Sequence, residues 1–154
     1  MTASKTALSD REVQLQHTIR APAAKVFAAY TDPKQVPQWW GHPKGTLKVD
    51  RMDVRVGGSY RFLQPMANGQ TLVSVGSYVE VKPVTRLVYT FQVEGQPGAP
   101  VTTIVELAES AGQTTLTLTL QFASRETKDM AVQYGAAAGA KGALHQLAQF
   151  VEGA

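Results

Sequence analysis

Residues 114–122 read Thr114-Thr-Leu-Thr-Leu-Thr-Leu-Gln-Phe122, so that Leu116, Leu118, Leu120 and Phe122 alternate with Thr115, Thr117, Thr119 and Gln121. A strict period of two places one apolar and one wet face on a β-strand. Immediately afterwards Ser124 is suited to cap a helix, Arg125 and Glu126 open its first turn, and no proline intervenes before Val151. This predicts one long helix over 124–151. Advancing 100° per residue, Met130, Gln133, Ala137, Ala140, Leu144, Leu147, Ala148 and Val151 share a face of that helix. A sheet wet on one side must cover the other, and only this helix is long enough to do so. The pair predicts an α+β fold in which a curved antiparallel sheet grips the C-terminal helix.

Upstream segments fit the same plan. Val13, Leu15, His17 and Ile19 alternate with Gln14, Gln16, Thr18 and Arg20, giving a first strand with His17 on its apolar side. Pro22 opens a short helix over 23–30, and Asp32-Pro33 separates it from a second over 33–40. Strands are then predicted over 48–56, 59–66, 71–81, 86–93, 101–108 and 114–122. Between them lie turns at Gly57-Gly58, Ala67-Asn68-Gly69 and Lys82-Pro83, a Gly/Pro loop over 95–100, and a turn at Ala111-Gly112. The expected order is a strand, two short helices, about six more strands and the long helix, forming one domain over 11–154 behind a lead-in over 1–10.

The helix centre, Gly135-Ala-Ala-Ala-Gly-Ala-Lys-Gly-Ala143, is almost devoid of large side chains. Three glycines there each cost roughly 1 kcal/mol relative to alanine. Two packings fit. Either the helix backbone lies close on the sheet, or small residues at Ala137 and Ala140 leave an apolar cavity beneath a strongly curved sheet. Gln133 on the buried face favours the cavity, because a buried amide needs a partner that a ligand or trapped water would supply.

Composition removes several function classes. The 154 residues contain no cysteine, which excludes disulfides, thiolate nucleophiles and Cys-ligated metal. Fifteen Lys and Arg against twelve Asp and Glu give a net charge of +3, but the cations are scattered and form no phosphate-tracking stripe, so nucleic acid is not expected as a partner. No apolar run approaches the roughly 20 residues of a membrane span, and the expected location is cytoplasmic.

The segments Ile19-Arg-Ala-Pro-Ala-Ala-Lys-Val-Phe27, Tyr30-Thr-Asp-Pro33, Trp39-Trp-Gly41, Pro43-Lys-Gly-Thr46 and Asp53-Val-Arg-Val-Gly-Gly-Ser-Tyr-Arg-Phe62 occur in that order. With Gly76-Ser-Tyr-Val-Glu-Val-Lys-Pro83, Arg86-Leu-Val-Tyr89 and Leu144-His-Gln-Leu147, this set resembles the homologues of the heat-shock protein 90 ATPase activator, within the START-like (SRPBCC, Bet v-like) superfamily. The resemblance implies the helix-grip fold around an apolar cavity. It leaves hydrophobic-ligand binding, contact with a heat-shock chaperone and cyclase- or aromatase-like catalysis as functional alternatives on one scaffold. The chain departs from the family pattern at His42, near Ala138 and at His145.

No compact metal-ligand spacing links His17, His42 and His145, and no nucleophile elbow, phosphate loop or dinucleotide fingerprint occurs. Neither a metal nor a cofactor is expected. His17 reads as a core histidine with a satisfied nitrogen, and His42 as a loop residue beside the Trp40 indole. Glu80 and Glu106 would serve as acid or base only if they faced the interior. Val73, Val75, Val79 and Val81 read as the apolar set of their strand and turn Glu80 to solvent unless a bulge intervenes. The Trp39-Trp40 pair borders the space between the small helices and the sheet, and parity assigns the other pocket walls: Tyr60 and Phe62, Tyr89 and Phe91, and Leu116, Leu118 and Leu120 face Gln133, Ala137 and Leu144. Such walls suit a hydrophobic, uncharged small molecule, and no catalytic residue is assigned.

Overall fold

A computed structural model describes residues 9–40, 45–96 and 98–153. Seven strands, β1 (Glu12–Ile19), β2 (Lys48–Met52), β3 (Ser59–Pro65), β4 (Thr71–Lys82), β5 (Arg86–Val93), β6 (Val101–Ser110) and β7 (Gln113–Gln121), form one curved antiparallel sheet. Its order is β1-β7-β6-β5-β4-β3-β2, a meander closed at one end by β1 pairing with β7. Two short helices, α1 (Ala23–Thr31) and α2 (Val36–Trp39), follow β1, and α3 (Arg125–Gln133) and α4 (Ala136–Gly153) end the chain. This is the helix-grip arrangement. The lead-in expected over 1–10 lies largely outside the described residues, as does His42.

The concave face carries the core. Leu15 of β1 lies opposite Leu118 of β7, which in turn lies opposite Val105 of β6, and Val105 pairs across to Leu87 of β5. The apolar parity read from β7 is therefore the parity of the core, and Leu116 is completely buried. Thr114, on the same side, is also fully buried and donates its hydroxyl to the Ala21 carbonyl at 2.7 Å, which satisfies it and fixes the start of the small helices. The α1 N-terminus has no cap of its own. Glu109 of β6 accepts from the Ala23 N–H at 2.8 Å in its place.

Two local features depart from the sequence reading. First, the expected single helix is two. Ser124 does cap α3, accepting from the Thr127 N–H, but Tyr134 ends it and Gly135 adopts φ +94°. That left-handed conformation is open to glycine and terminates helices, and the Gly135 carbonyl then accepts the Gly139 N–H at 2.8 Å to start α4. Met130 and Gln133 are consequently exposed and do not share the buried face of Leu144, Leu147, Ala148 and Val151. The break also removes Gly135 from any helix interior, which lowers the propensity cost.

Second, β4 carries a β-bulge. Tyr78 pairs with Tyr89, but the next pair is Glu80 with Val88, so Val79 is the extra residue. Ser74 and Tyr78 are the buried side chains of the strand, whereas Val79 is 52% exposed. The set Val73, Val75, Val79 and Val81 is thus not one face, because the bulge brings Val81 onto the core side after the earlier valines have faced away. The same bulge turns Glu80 outward, where it bonds Arg86 at 3.2 Å and Lys82 at 3.2 Å.

Candidate functional site

The helix is seated at one end and stands away at the other. In the C-terminal half of α4, Leu144, Leu147, Ala148 and Val151 are all buried. In its N-terminal half the side chains shrink to alanine and glycine, and a Cβ built on Gly139 would meet no atom within 4 Å. Close backbone approach, the other packing the sequence allows, would close the space that Ala136, Gly139, Ala140 and Ala143 line. Instead the two layers border an open-sided cavity of about 420 Å³.

Three walls define it. The helix side is Ala136, Gly139, Ala140, Ala143 and Leu144; the sheet side is Tyr89, Phe91, Val101, Thr103, Leu118 and Leu120, with Phe122 just beyond β7; the end wall is Tyr30, Trp39 and Trp40. The end wall is held firmly. Trp39 is buried and donates its indole N–H to the Ala29 carbonyl at 2.8 Å, while its own carbonyl accepts from Gln146 Nε2 at 2.7 Å, tying α2 to α4. Trp40, freed from the helix as its C-cap, turns its ring into an aromatic group. Its centroid lies 6.3 Å from Tyr60, 5.2 Å from Phe62, 6.2 Å from Tyr89 and 6.5 Å from Phe91, within the range in which offset and edge-to-face ring pairs attract. The partly exposed lining residues include the cross-strand pair Phe91 and Val101 and the first-turn residues Ala136 and Gly139, which places the opening between β5–β6 and the start of α4.

Of the residues assigned to the site from sequence, Trp39, Trp40, Tyr89, Phe91, Leu118, Leu120 and Leu144 line this cavity, as does Ala140, one of the two small helix residues expected to leave it open. Tyr60 and Phe62 lie behind it, around a hole of about 10 Å³ shared with Tyr30, Trp40, Tyr78, Leu87 and Tyr89. Leu116 packs in the core one pair further along β7. Ala137 is half-buried but outside the lining, and Gln133 is exposed on α3, so the buried amide expected there does not exist. Tyr30, Val101, Thr103, Phe122 and the α4 residues Ala136, Gly139 and Ala143 complete the lining without having been assigned to it. The first could have been found from its place one turn after Val26 and Phe27, the last three from a helix phase restarted at Gly135.

His17 is half-buried on β1 and is not part of the lining, and His145 is exposed. Glu80 and Glu106 share Arg86 on the outer face. The lining therefore holds no charged side chain among the described residues, nor do those residues contain a group of three His, Asp or Glu able to hold a metal ion. No helix among them is long and apolar enough to cross a membrane.

Among the described residues, the buried titratable side chains are four phenols. Burial pushes the Tyr30, Tyr60, Tyr78 and Tyr89 hydroxyls above the ordinary phenol range, and in Tyr89 the neighbouring Tyr30, Tyr60 and Tyr78 add to the effect. Tyr60 donates to the Thr90 carbonyl at 2.6 Å. Because the folded state favours the neutral phenol, its stabilising contribution is complete below the unfolded value near pH 10 and declines as pH rises past it. In an alkaline titration the phenolate absorbance of these four residues should appear together with loss of the folded circular dichroism signal. Four gradual ionisations with the fold intact would contradict their burial.

Fold and site together define a sheet gripping a helix around an apolar cavity, the START-like class. Residues 20–152 match the family model described as activator of Hsp90 ATPase homolog 1-like protein, and the chain belongs to that family. Among solved structures it is similar to a protein from Arthrobacter aurescens (TM-score 0.84, 19% identity, covering 99% of this chain and 94% of that one). It is similar too to CV1439 from Chromobacterium violaceum (TM-score 0.76, 28% identity, covering 94% and 99%). DynU16, from the dynemicin biosynthetic locus, is a further likeness (TM-score 0.72, 24% identity), with 94% of this chain covering 48% of that one. No curated protein matches the sequence.

Proposed function

We propose that this chain binds an uncharged, hydrophobic small molecule in the cavity between the sheet and α4. The observation that carries the reading is the stand-off of α4: alanines and glycines face an apolar space of about 420 Å³, within the range of natural ligand pockets. An apolar space of this size forfeits packing contacts that a bound molecule would restore. Trp39, Trp40, Tyr89, Phe91, Leu118, Leu120 and Leu144 are the sequence-assigned residues that would touch it. The cyclase-like alternative requires a lining group that exchanges protons near neutral pH, and the described lining offers buried phenols and one threonine instead.

Native mass spectrometry of freshly purified protein, followed by denaturing extraction, tests the reading. A stoichiometric adduct of low polarity is expected. A uniformly bare chain that also fails to take up added hydrophobic compounds would overturn it.

A second reading has its own observation. Met130, Val132 and Tyr134 are 60%, 42% and 82% exposed on and just after α3, and Met130 and Tyr134, four residues apart, present two large apolar side chains to solvent on one side of it. As a chaperone-directed module, the family's name being the link, the chain would raise the ATP turnover of a purified heat-shock ATPase, and replacing Met130 and Tyr134 by serine would remove that effect.

A further inference from the structure

The cavity is apolar but not featureless, and its two unpaired phenols distinguish between apolar ligands. Tyr30 and Tyr89 both line it, each is 7% exposed, and neither hydroxyl makes a hydrogen bond among the described residues. The only fully occluded side-chain polar atom without a partner among the described residues is Oε1 of Gln64. The two phenolic oxygens therefore retain a little open surface, and both tyrosines border this cavity as well as the hole of about 10 Å³ behind it. A donor held in an apolar space with no acceptor loses the hydrogen bond it had in water. An occupant presenting an acceptor would restore it.

The shape of the space adds a second constraint. On one side the α4 wall is flattened by Ala136, Gly139, Ala140 and Ala143; the sheet side opposite presents Tyr89, Phe91 and Phe122, and the end wall adds Tyr30, Trp39 and Trp40, with Trp40 beside Tyr89 and Phe91. A flat wall facing π-surfaces favours a planar ring system over a branched chain. The absence of any cation in the described lining disfavours a carboxylate or phosphate.

Resting on the binding reading above, we infer that the cavity selects a flat, uncharged aromatic molecule bearing a carbonyl-type acceptor, which the hydroxyls of Tyr30 and Tyr89 engage. The tyrosines are specificity residues here, and the aromatic and alanine walls supply the general affinity.

Fluorene and 9-fluorenone share one tricyclic outline and differ by a carbonyl, so they test this directly. Equilibrium dialysis of each compound against the wild-type chain and against the Tyr30→Phe/Tyr89→Phe double variant gives four affinities. The variant serves as the baseline that cancels the different water solubilities of the two compounds. The ketone's affinity relative to the hydrocarbon is expected to fall by about fivefold to tenfold in the double variant, the worth of one hydrogen bond lost in an apolar site, while fluorene affinity stays within about twofold. Retained fluorene binding also shows that the variant is folded. An unchanged ratio, with the acceptor satisfied elsewhere (by Thr103, for example), would overturn the assignment to the tyrosines while leaving the cavity reading intact. Failure of wild-type protein to bind either compound would overturn both.

Discussion

Gly76→Ala should destabilise the chain by about 3 kcal/mol or more, beyond the usual cost of overpacking. A Cβ at this position would lie 1.8 Å from the Thr90 carbonyl oxygen and 2.6 Å from both Cε2 and the hydroxyl of Tyr60. Gly76 pairs with Tyr60 across β3–β4, and the Tyr60 ring reaches over it to donate to that same Thr90 carbonyl. Alanine would push β4 away from β5 at the place where these strands carry the aromatic side of the interior. Shrinking Tyr60 cannot relieve the strain, because the tightest contact is with backbone. Urea unfolding should therefore show a large drop in midpoint for Gly76→Ala that Tyr60→Phe does not rescue. Tyr60→Phe alone, which forfeits one hydrogen bond, should cost only about 1 kcal/mol. Near wild-type stability of Gly76→Ala would mean that β4 and β5 are not apposed as described.

The second large effect concerns binding. Ala140 lies in the cavity wall, and Ala138, two residues away on α4, is exposed. Ala140→Trp should fill the cavity with its indole and weaken binding of the neutral fluorescent probe N-phenyl-1-naphthylamine at least about 30-fold, equivalent to about 2 kcal/mol. Filling apolar space stabilises more often than it disrupts, commonly by about 0.5–2 kcal/mol, so the midpoint of unfolding should hold or rise. Ala138→Trp adds the same indole to the outer face and should change neither quantity. Equal loss of binding in both variants would point to the helix surface, not the cavity.

Much of the fold could be read from local signals because those signals coincide with tertiary needs. The Leu/Thr alternation of β7 is legible since that strand is buried on one side only, and Ser124 caps its helix through its own backbone neighbours. The misreadings share a physical origin: a single residue that resets a period. Gly135 shifts the phase of the helical face, so counting from Met130 placed Gln133 and Ala137 on the cavity while Ala136, Gly139 and Ala143 line it. Val79 resets the period of β4, and nothing in a run of alternating valines distinguishes the bulged residue. The sheet side of the site suffered less. Tyr89, Phe91 and Leu118 lie on uninterrupted strands, where parity carries through to the cavity. Tyr60 and Phe62 have the correct face as well, but how far along the sheet the helix stands off depends on tertiary packing, and they fall in the neighbouring aromatic layer.

A crystal structure of the chain grown with N-phenyl-1-naphthylamine is the most direct test of the central claim, that the space beneath α4 receives a small apolar molecule. The expected result is ring density enclosed by Trp40, Phe91, Leu118 and Ala140, with α4 still standing off at Gly139. A probe seated instead on the exposed Met130, Val132 and Tyr134, with α4 closed down on the sheet, would contradict it.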